Sequence, residues 1–240
     1  MTQERIVEGE TLTPEAVEAL VTGGQRALSA ARPEAAAVCF ERVLGAQPQR
    51  ADIWALYGET LTALARFEDA IQSFCRSLVL QPGNAAGHNN LGTLLVARWR
   101  DEEAVASFRR ALQLEPDYIP ALINLGQCQV RLGQPAEALE PLARASNGDP
   151  QSAAAAHWLG TALLCLGEGE QAIPHLQRAT TLDPKLVDAW TNLGTVLAEQ
   201  NQPEEAEICF VRSLALHEDI DVRDRLSKLL PHSADAAASM

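Results

Sequence analysis

Five histidines and five cysteines are the residues of this 240-residue chain best suited to metal or nucleophilic chemistry. The histidines are His88, His157, His175, His217 and His232. No two of them share the spacing that puts a ligand pair on one helix face. The cysteines are Cys39, Cys75, Cys128, Cys165 and Cys209. They are odd in number and widely spaced, with no Cys-x-x-Cys, so neither a disulfide framework nor a zinc site is expected. Reduced cysteines suit a reducing compartment, and their expected place is as small apolar groups in helix interfaces. The sequence has no Gly-x4-Gly-Lys phosphate loop and no Gly-x-Ser-x-Gly elbow. The chain is therefore read as non-enzymatic, with no cofactor and no metal.

The chemistry that remains is recognition. Asn90, Asn124 and Asn192 each stand in an Asn-Leu-Gly triplet. Asparagine is only a modest helix former, so its return at one slot asks for a reason. A side-chain amide both donates and accepts, and so can pair with the backbone of an extended peptide of any sequence. The residue after each of those glycines is polar: Thr93, Gln127 and Thr195. Trp158 and Thr161 flank Gly160 in the same two slots, and a tryptophan there is a natural binding hot spot. Asn89 and His157, one residue earlier, are expected to border the same surface. The candidate peptide surface is thus Asn89, Asn90, Thr93, Asn124, Gln127, His157, Trp158, Thr161, Asn192 and Thr195. A second reading stays open. The amides would bond neighbouring helices and set the geometry of the array, and Trp158 would pack between first helices.

The elements that must carry these residues follow from a period. Prolines fall at Pro48, Pro82, Pro116, Pro150 and Pro184, at one constant interval. Gly24, Gly58, Gly92, Gly126, Gly160 and Gly194 keep the same step, as do Ala36, Ala70, Ala104, Ala138, Ala172 and Ala206. A large apolar residue follows each alanine by four: Phe40, Phe74, Phe108, Leu142, Leu176 and Phe210. Each period reads as two helices. Trp54, Tyr57, Leu61 and Leu64 share one face, then Ala70, Ile71, Phe74 and Leu78 share another. Breakers such as Gly133, Gly167 and Asn201 end the first helix in the left-handed conformation. Proline suits the start of the second helix. A mid-helix glycine costs about 1 kcal/mol against alanine, which makes sense where two backbones must approach, as at Gly58 beside Ala70 and Phe74. Trp99 stands in the turn slot of Gly133, and the expectation is a lid over its own repeat, with a rim contact as the alternative.

The pattern Trp54-x2-Tyr57-Gly58-x2-Leu61…Ala70-x3-Phe74…Pro82 resembles the tetratricopeptide-repeat signature, whose period of about 34 residues is the interval between these prolines. So does Trp190-x2-Leu193-Gly194-x2-Leu197…Ala206-x3-Phe210. The resemblance implies an all-α, right-handed superhelical solenoid of six helix-turn-helix repeats. Their expected bounds are 17–50, 51–84, 85–118, 119–152, 153–186 and 187–220, within a domain over 13–220. It also implies that the first helix of each pair lines a concave groove where partners bind. The asparagine row is similar to that of the repeat domain of O-linked N-acetylglucosamine transferases. The lysine and arginine clamp that some relatives use on a terminal carboxylate is not expected, because the matching positions carry Ala, Asn, Ile, His and acids. Thr13-Pro14 reads as a cap and first turn. Residues 1–12 read as a flexible N-terminus and 221–231 as a capping helix that covers the last repeat with Val222, Leu226, Leu229 and Leu230. Residues 232–240 read as a disordered tail.

Charge bounds the partners. The net formal charge is −13, which argues against nucleic acid, since phosphate binding needs a positive field. Residues 187–220 carry seven acids against Arg212 alone, so a partner with a basic segment is expected. No apolar stretch approaches the ~18 residues of a membrane helix, and residues 1–10 lack the order of a secretory signal. A cytoplasmic location is therefore expected, with no membrane partner. Arginine and alanine richness point to a bacterial genome. The function expected is a protein-interaction adaptor that holds an extended peptide or partner protein in the groove. The alternatives are a self-assembling scaffold, with homo-oligomers, and an accessory subunit of a transferase or secretion machine.

Overall fold

A computed structural model describes residues 12–237, and every regular element among them is a helix. The helices come in pairs: α1 (Pro14–Ser29) and α2 (Pro33–Ala46), α3 (Ala51–Ala63) and α4 (Phe67–Leu80), α5 (Ala85–Ala97) and α6 (Asp101–Leu114). Then follow α7 (Ile119–Arg131) and α8 (Pro135–Gly148), α9 (Ala153–Cys165) and α10 (Gly169–Leu182), α11 (Val187–Glu199) and α12 (Pro203–Leu216), with α13 (Ile220–Ala237) last. Each pair packs on itself and on its neighbour within two compact units, which divide between Tyr118 and Ile119. This is the consecutive helix-pair packing of a repeat solenoid.

Local signals set the boundaries. Thr13 caps α1 through its hydroxyl, which accepts from the Ala16 N–H at 3.3 Å, and Pro14 follows in the first turn. Asn84 caps α5 and Ser152 caps α9 in the same way. Pro33, Pro135 and Pro203 open α2, α8 and α12, where a missing N–H costs nothing. All six turns inside the pairs share one closure. The residue past the first helix is left-handed at Ala31, Ala65, Trp99, Gly133, Gly167 and Asn201. The next N–H then bonds five residues back, as Arg32 to Ala27, Arg66 to Leu61, Arg100 to Leu95 and Gln134 to Gln129. That satisfies carbonyls a helix end would otherwise leave open. Trp99 sits in this turn 82% exposed, so it is not a lid over its repeat. The turn geometry turns its side chain outward.

The glycine register has a steric cause. A Cβ on Gly92 would stand 2.5 Å from the Phe108 ring, one on Gly24 2.6 Å from Phe40, and one on Gly194 2.8 Å from Phe210. The large residue of the second helix lies directly on the first helix backbone. In the first unit Phe40 is buried with Val17, Val21, Ala36 and Ile53. In the second, Leu142, Leu176 and Phe210 belong to one core with Leu159, Leu193 and Val222. Leu226 and Leu229 of α13 pack against that core. Ring N–H groups tie pairs together: Trp54 donates to the Pro48 carbonyl at 2.9 Å and Trp190 to the Pro184 carbonyl at 3.0 Å.

The ends depart from expectation. Helix α13 runs to Ala237, past the expected 221–231 and into the stretch read as a tail. Alanine-rich sequence favours helix, which accounts for the extension. Residues 1–11 and 238–240 lie outside the described residues. The cysteines divide: Cys128 and Cys209 are buried and Cys39 half-buried, while Cys75 and Cys165 are exposed rather than in interfaces.

Candidate peptide-binding surface

The first helices carry the candidate residues. Asn90 on α5, Asn124 on α7, Trp158 on α9 and Asn192 on α11 are all half-buried. Thr93 is exposed, whereas Gln127, Thr161 and Thr195 are half-buried. Asn89 and His157 differ: they are 7% and 4% exposed and so do not border an open surface. One residue along a helix is a rotation of about 100°, enough to carry these two side chains from the outer face into the packed interior.

The threonines link the row. Thr93, Thr161 and Thr195 each donate the hydroxyl to the carbonyl four residues back, at 3.1, 2.9 and 2.8 Å. Each hydroxyl oxygen keeps lone pairs to accept another donor. In the second unit Asn192 fills that role, its Nδ2 donating to Thr161 Oγ1 at 3.0 Å. The asparagine slot of α11 therefore faces the slot after the glycine on α9. One Asn192 N–H is spent on this bond, and the amide carries a second N–H and a carbonyl besides. In the first unit the Asn90 side chain makes no hydrogen bond to protein among the described residues.

Sequence reasoning missed Arg225. This residue of α13 donates from Nη1 to Thr195 Oγ1 at 2.6 Å, the bond Asn192 makes one repeat earlier. Val222, Leu226 and Leu229 follow Ala189, Leu193 and Val196 at one residue less than a full period, and Arg225 follows Asn192 by the same step. Helix α13 thus imitates a seventh first helix, shifted by a single position. That offset hid it. The last asparagine slot is filled by an arginine, so the surface bears a cation where none was expected.

Burial sets the electrostatics. Glu59, in the slot after Gly58, is exposed, yet enough protein surrounds it that desolvation lifts its carboxyl above the usual range. Desolvation holds the His157 imidazole below its ordinary value, opposed in part by Asp188. Its Nδ1 is buried without a hydrogen-bond partner, and its ring meets Trp158 edge-on with centroids 5.0 Å apart. His157 thereby supports the Trp158 ring from behind. The buried Cys209 thiol is pushed up to about 11 by desolvation and by Glu205, the reverse of what a nucleophile needs. Among the described residues, no group of three or more His, Cys, Asp or Glu side chains is placed to hold a metal ion. No described helix is long and apolar enough to cross a membrane.

Stacked helix pairs with polar slots on successive first helices define a class of repeat protein built for contact with other macromolecules. Tetratricopeptide-repeat models match residues 21–85 and 63–119, 100–163 and 151–219. The chain belongs to the tetratricopeptide-repeat family. No curated protein matches it closely enough to be counted a relative. Solved structures share the fold. YrrB, described as a TPR protein with an unusual peptide-binding site, is 23% identical with a TM-score of 0.66, covering 79% of this chain and 97% of its own. PilF of Pseudomonas aeruginosa is 19% identical with a TM-score of 0.77, covering 89% and 98%. MamA is 21% identical with a TM-score of 0.65, covering 72% and 94%.

Proposed function

We propose that this chain is a non-enzymatic adaptor that holds an extended peptide segment against its first helices. In the first unit the contacts are Asn90 and Thr93. In the second they are Asn124, Gln127, Trp158, Thr161, Asn192 and Thr195, with His157 behind the tryptophan and with Asn89 of the first unit buried. The observation that carries this reading is the asparagine row itself: an amide returns in one slot, with capacity to spare at Asn90 and Asn192, beside a half-buried tryptophan. The similarity to YrrB adds support through what that protein is described as binding. The acidity of residues 187–220 favours a peptide with a basic segment, and the adaptor works in the cytoplasm.

Panning a displayed library of unstructured peptides on the intact protein tests the reading. Enriched peptides are expected to be extended and basic. A hydrogen bond of this kind contributes about 1 kcal/mol, so the triple change Asn90→Ala, Asn124→Ala and Asn192→Ala should weaken a selected peptide by roughly a hundredfold. The helical circular dichroism should persist. Affinity unchanged by the triple change would sink the assignment.

A further inference from the structure

The second unit presents hydrogen-bond donors in a row. Trp54 and Trp190 each spend the indole N–H on a proline carbonyl of the chain. Trp158 does not. Its Nε1 makes no hydrogen bond among the described residues, and it is not one of the buried atoms left without a partner, so it meets water. On α11 one N–H of Asn192 goes to Thr161 Oγ1, which leaves the other to spend. On α13 the exposed Arg225 spends one N–H on Thr195 Oγ1 and enters no ion pair among the described residues. A guanidinium carries several N–H donors and no acceptor. The hydroxyl protons of Thr161 and Thr195 already go to helix carbonyls. What faces a ligand here therefore mostly donates. Such a surface fits a chain that presents carbonyls and has few N–H groups of its own, as a proline-rich chain does.

Spacing narrows the ligand further. Asn192 reaches Thr161, one turn along α9 from Trp158, and Arg225 reaches Thr195, one turn along α11 from Asn192. The three slots therefore stand on neighbouring helices, and packed helices lie about 8–10 Å apart. A β-strand rises about 3.3 Å per residue and turns each successive residue over, so like-facing groups recur at about 6.6 and 13 Å and miss that step. A polyproline II helix has three residues per turn and rises about 3.1 Å per residue, so the same edge returns every ~9.3 Å. Its backbone makes no internal hydrogen bonds, which leaves every carbonyl open to a donor. An aromatic side chain such as Trp158 is the kind of face on which these segments dock.

We propose that the surface formed by α9, α11 and α13 binds a proline-rich segment in the polyproline II conformation, with Trp158, Asn192 and Arg225 donating to carbonyls one turn of that helix apart. The inference rests on the peptide reading of the same surface and narrows it to one backbone conformation.

Fluorescence polarisation of labelled peptides on the intact protein tests this. Nonaproline, about 28 Å long at 3.1 Å per residue, spans the three slots. Its preset backbone should make it bind roughly tenfold tighter than a Gly-Ser or a Thr-Val peptide of equal length. Nonaproline has no internal N–H to offer, so its binding isolates the donors of the protein. Trp158→Phe keeps a ring and removes the N–H, and Arg225→Met keeps an apolar stem and removes the guanidinium. Each should weaken nonaproline roughly fivefold while helical circular dichroism persists. Proton–nitrogen NMR spectra of the unchanged protein give a readout that needs no variant. On addition of nonaproline the Trp158 indole resonance should move and that of Trp54 should stay. A Thr-Val peptide that binds as tightly as nonaproline overturns the proposal, as does a Trp158 resonance that stays put. Panned peptides that bind through Asn192 and contain no proline, with nonaproline inert, remove this inference and leave the adaptor reading standing. Failure of every peptide, panned or synthetic, to bind removes both.

Discussion

The two units are built from one plan and solve it with different residues. In the first, the left-handed turn position holds Ala31, Ala65 and Trp99; in the second it holds Gly133, Gly167 and Asn201. The first fills the space over its glycines with Phe40, Phe74 and Phe108, and the second with Leu142, Leu176 and Phe210. The second helices begin after Arg32, Arg66 and Arg100 in one unit, and after Gln134, Glu168 and Gln202 in the other. The hydrogen bonds of the turn do not change. A repeat is therefore specified by a few contacts of fixed geometry, and a unit can bear backbone strain at its turns when packing and the closing bonds hold the shape.

Packing changes should give the largest effects. Phe108 is fully buried against Gly92, and Phe108→Ala should cost about 3–5 kcal/mol in denaturant unfolding. Leu142→Ala in the second unit should cost about 2–5 kcal/mol, so the aromatic deletion should be the worse of the two. Equal losses would mean the rings are not the stiffer filler. Next comes Gly92→Ala, whose Cβ would meet the Phe108 ring at 2.5 Å. Overpacking of this sort costs about 1–3 kcal/mol. Gly160→Ala, facing the more adaptable Leu176, should cost less, and the reverse order in unfolding midpoints would refute that contrast.

Turn strain should give a smaller effect of either sign. A left-handed residue other than glycine carries about 1–2 kcal/mol, part of which glycine returns through unfolded-state entropy. Trp99→Gly should therefore raise stability by about 0.5–1 kcal/mol, while Gly167→Ala lowers it by a similar amount. Thermal melts of the two variants moving the same way would contradict the comparison. Smallest is the pH response of the second unit. His157 has a folded pKa below the ordinary 6.5, so the unfolded chain binds the proton more readily. Its contribution is intact well above 6.5 and declines as pH falls below that value toward the depressed one. Stability curves for His157→Gln should be flatter with pH in that window, and an unchanged slope would rule the histidine out as the cause.

Much of the fold was legible because its strongest constraints repeat. Gly92 and Phe108 cannot drift apart in sequence without losing their contact, so the register is visible without coordinates. The left-handed turns were legible at Gly133, Gly167 and Asn201, whose types announce the conformation, and silent at Ala31, Ala65 and Trp99, whose types do not. Their spacing from Gly133 by whole periods was the available signal. The candidate surface was legible by slot and not by depth. Asn90 and Asn89 look alike in a string, and only the helix turn separates a half-buried amide from a buried one. Arg225 escaped because α13 repeats the buried face of a first helix one position short of the full period.

That one-residue offset has a consequence for how such chains change over time. Helix α13 meets α11 and α12 with the same face a further first helix would offer, and asks nothing of the pairs upstream. Whole repeats can then be duplicated or lost between Thr13 and Val187 while the contacts made by Val222 and Arg225 survive intact. The length of the array becomes a variable that inheritance can adjust in whole steps, with α13 packing in the same way on a short array and a long one.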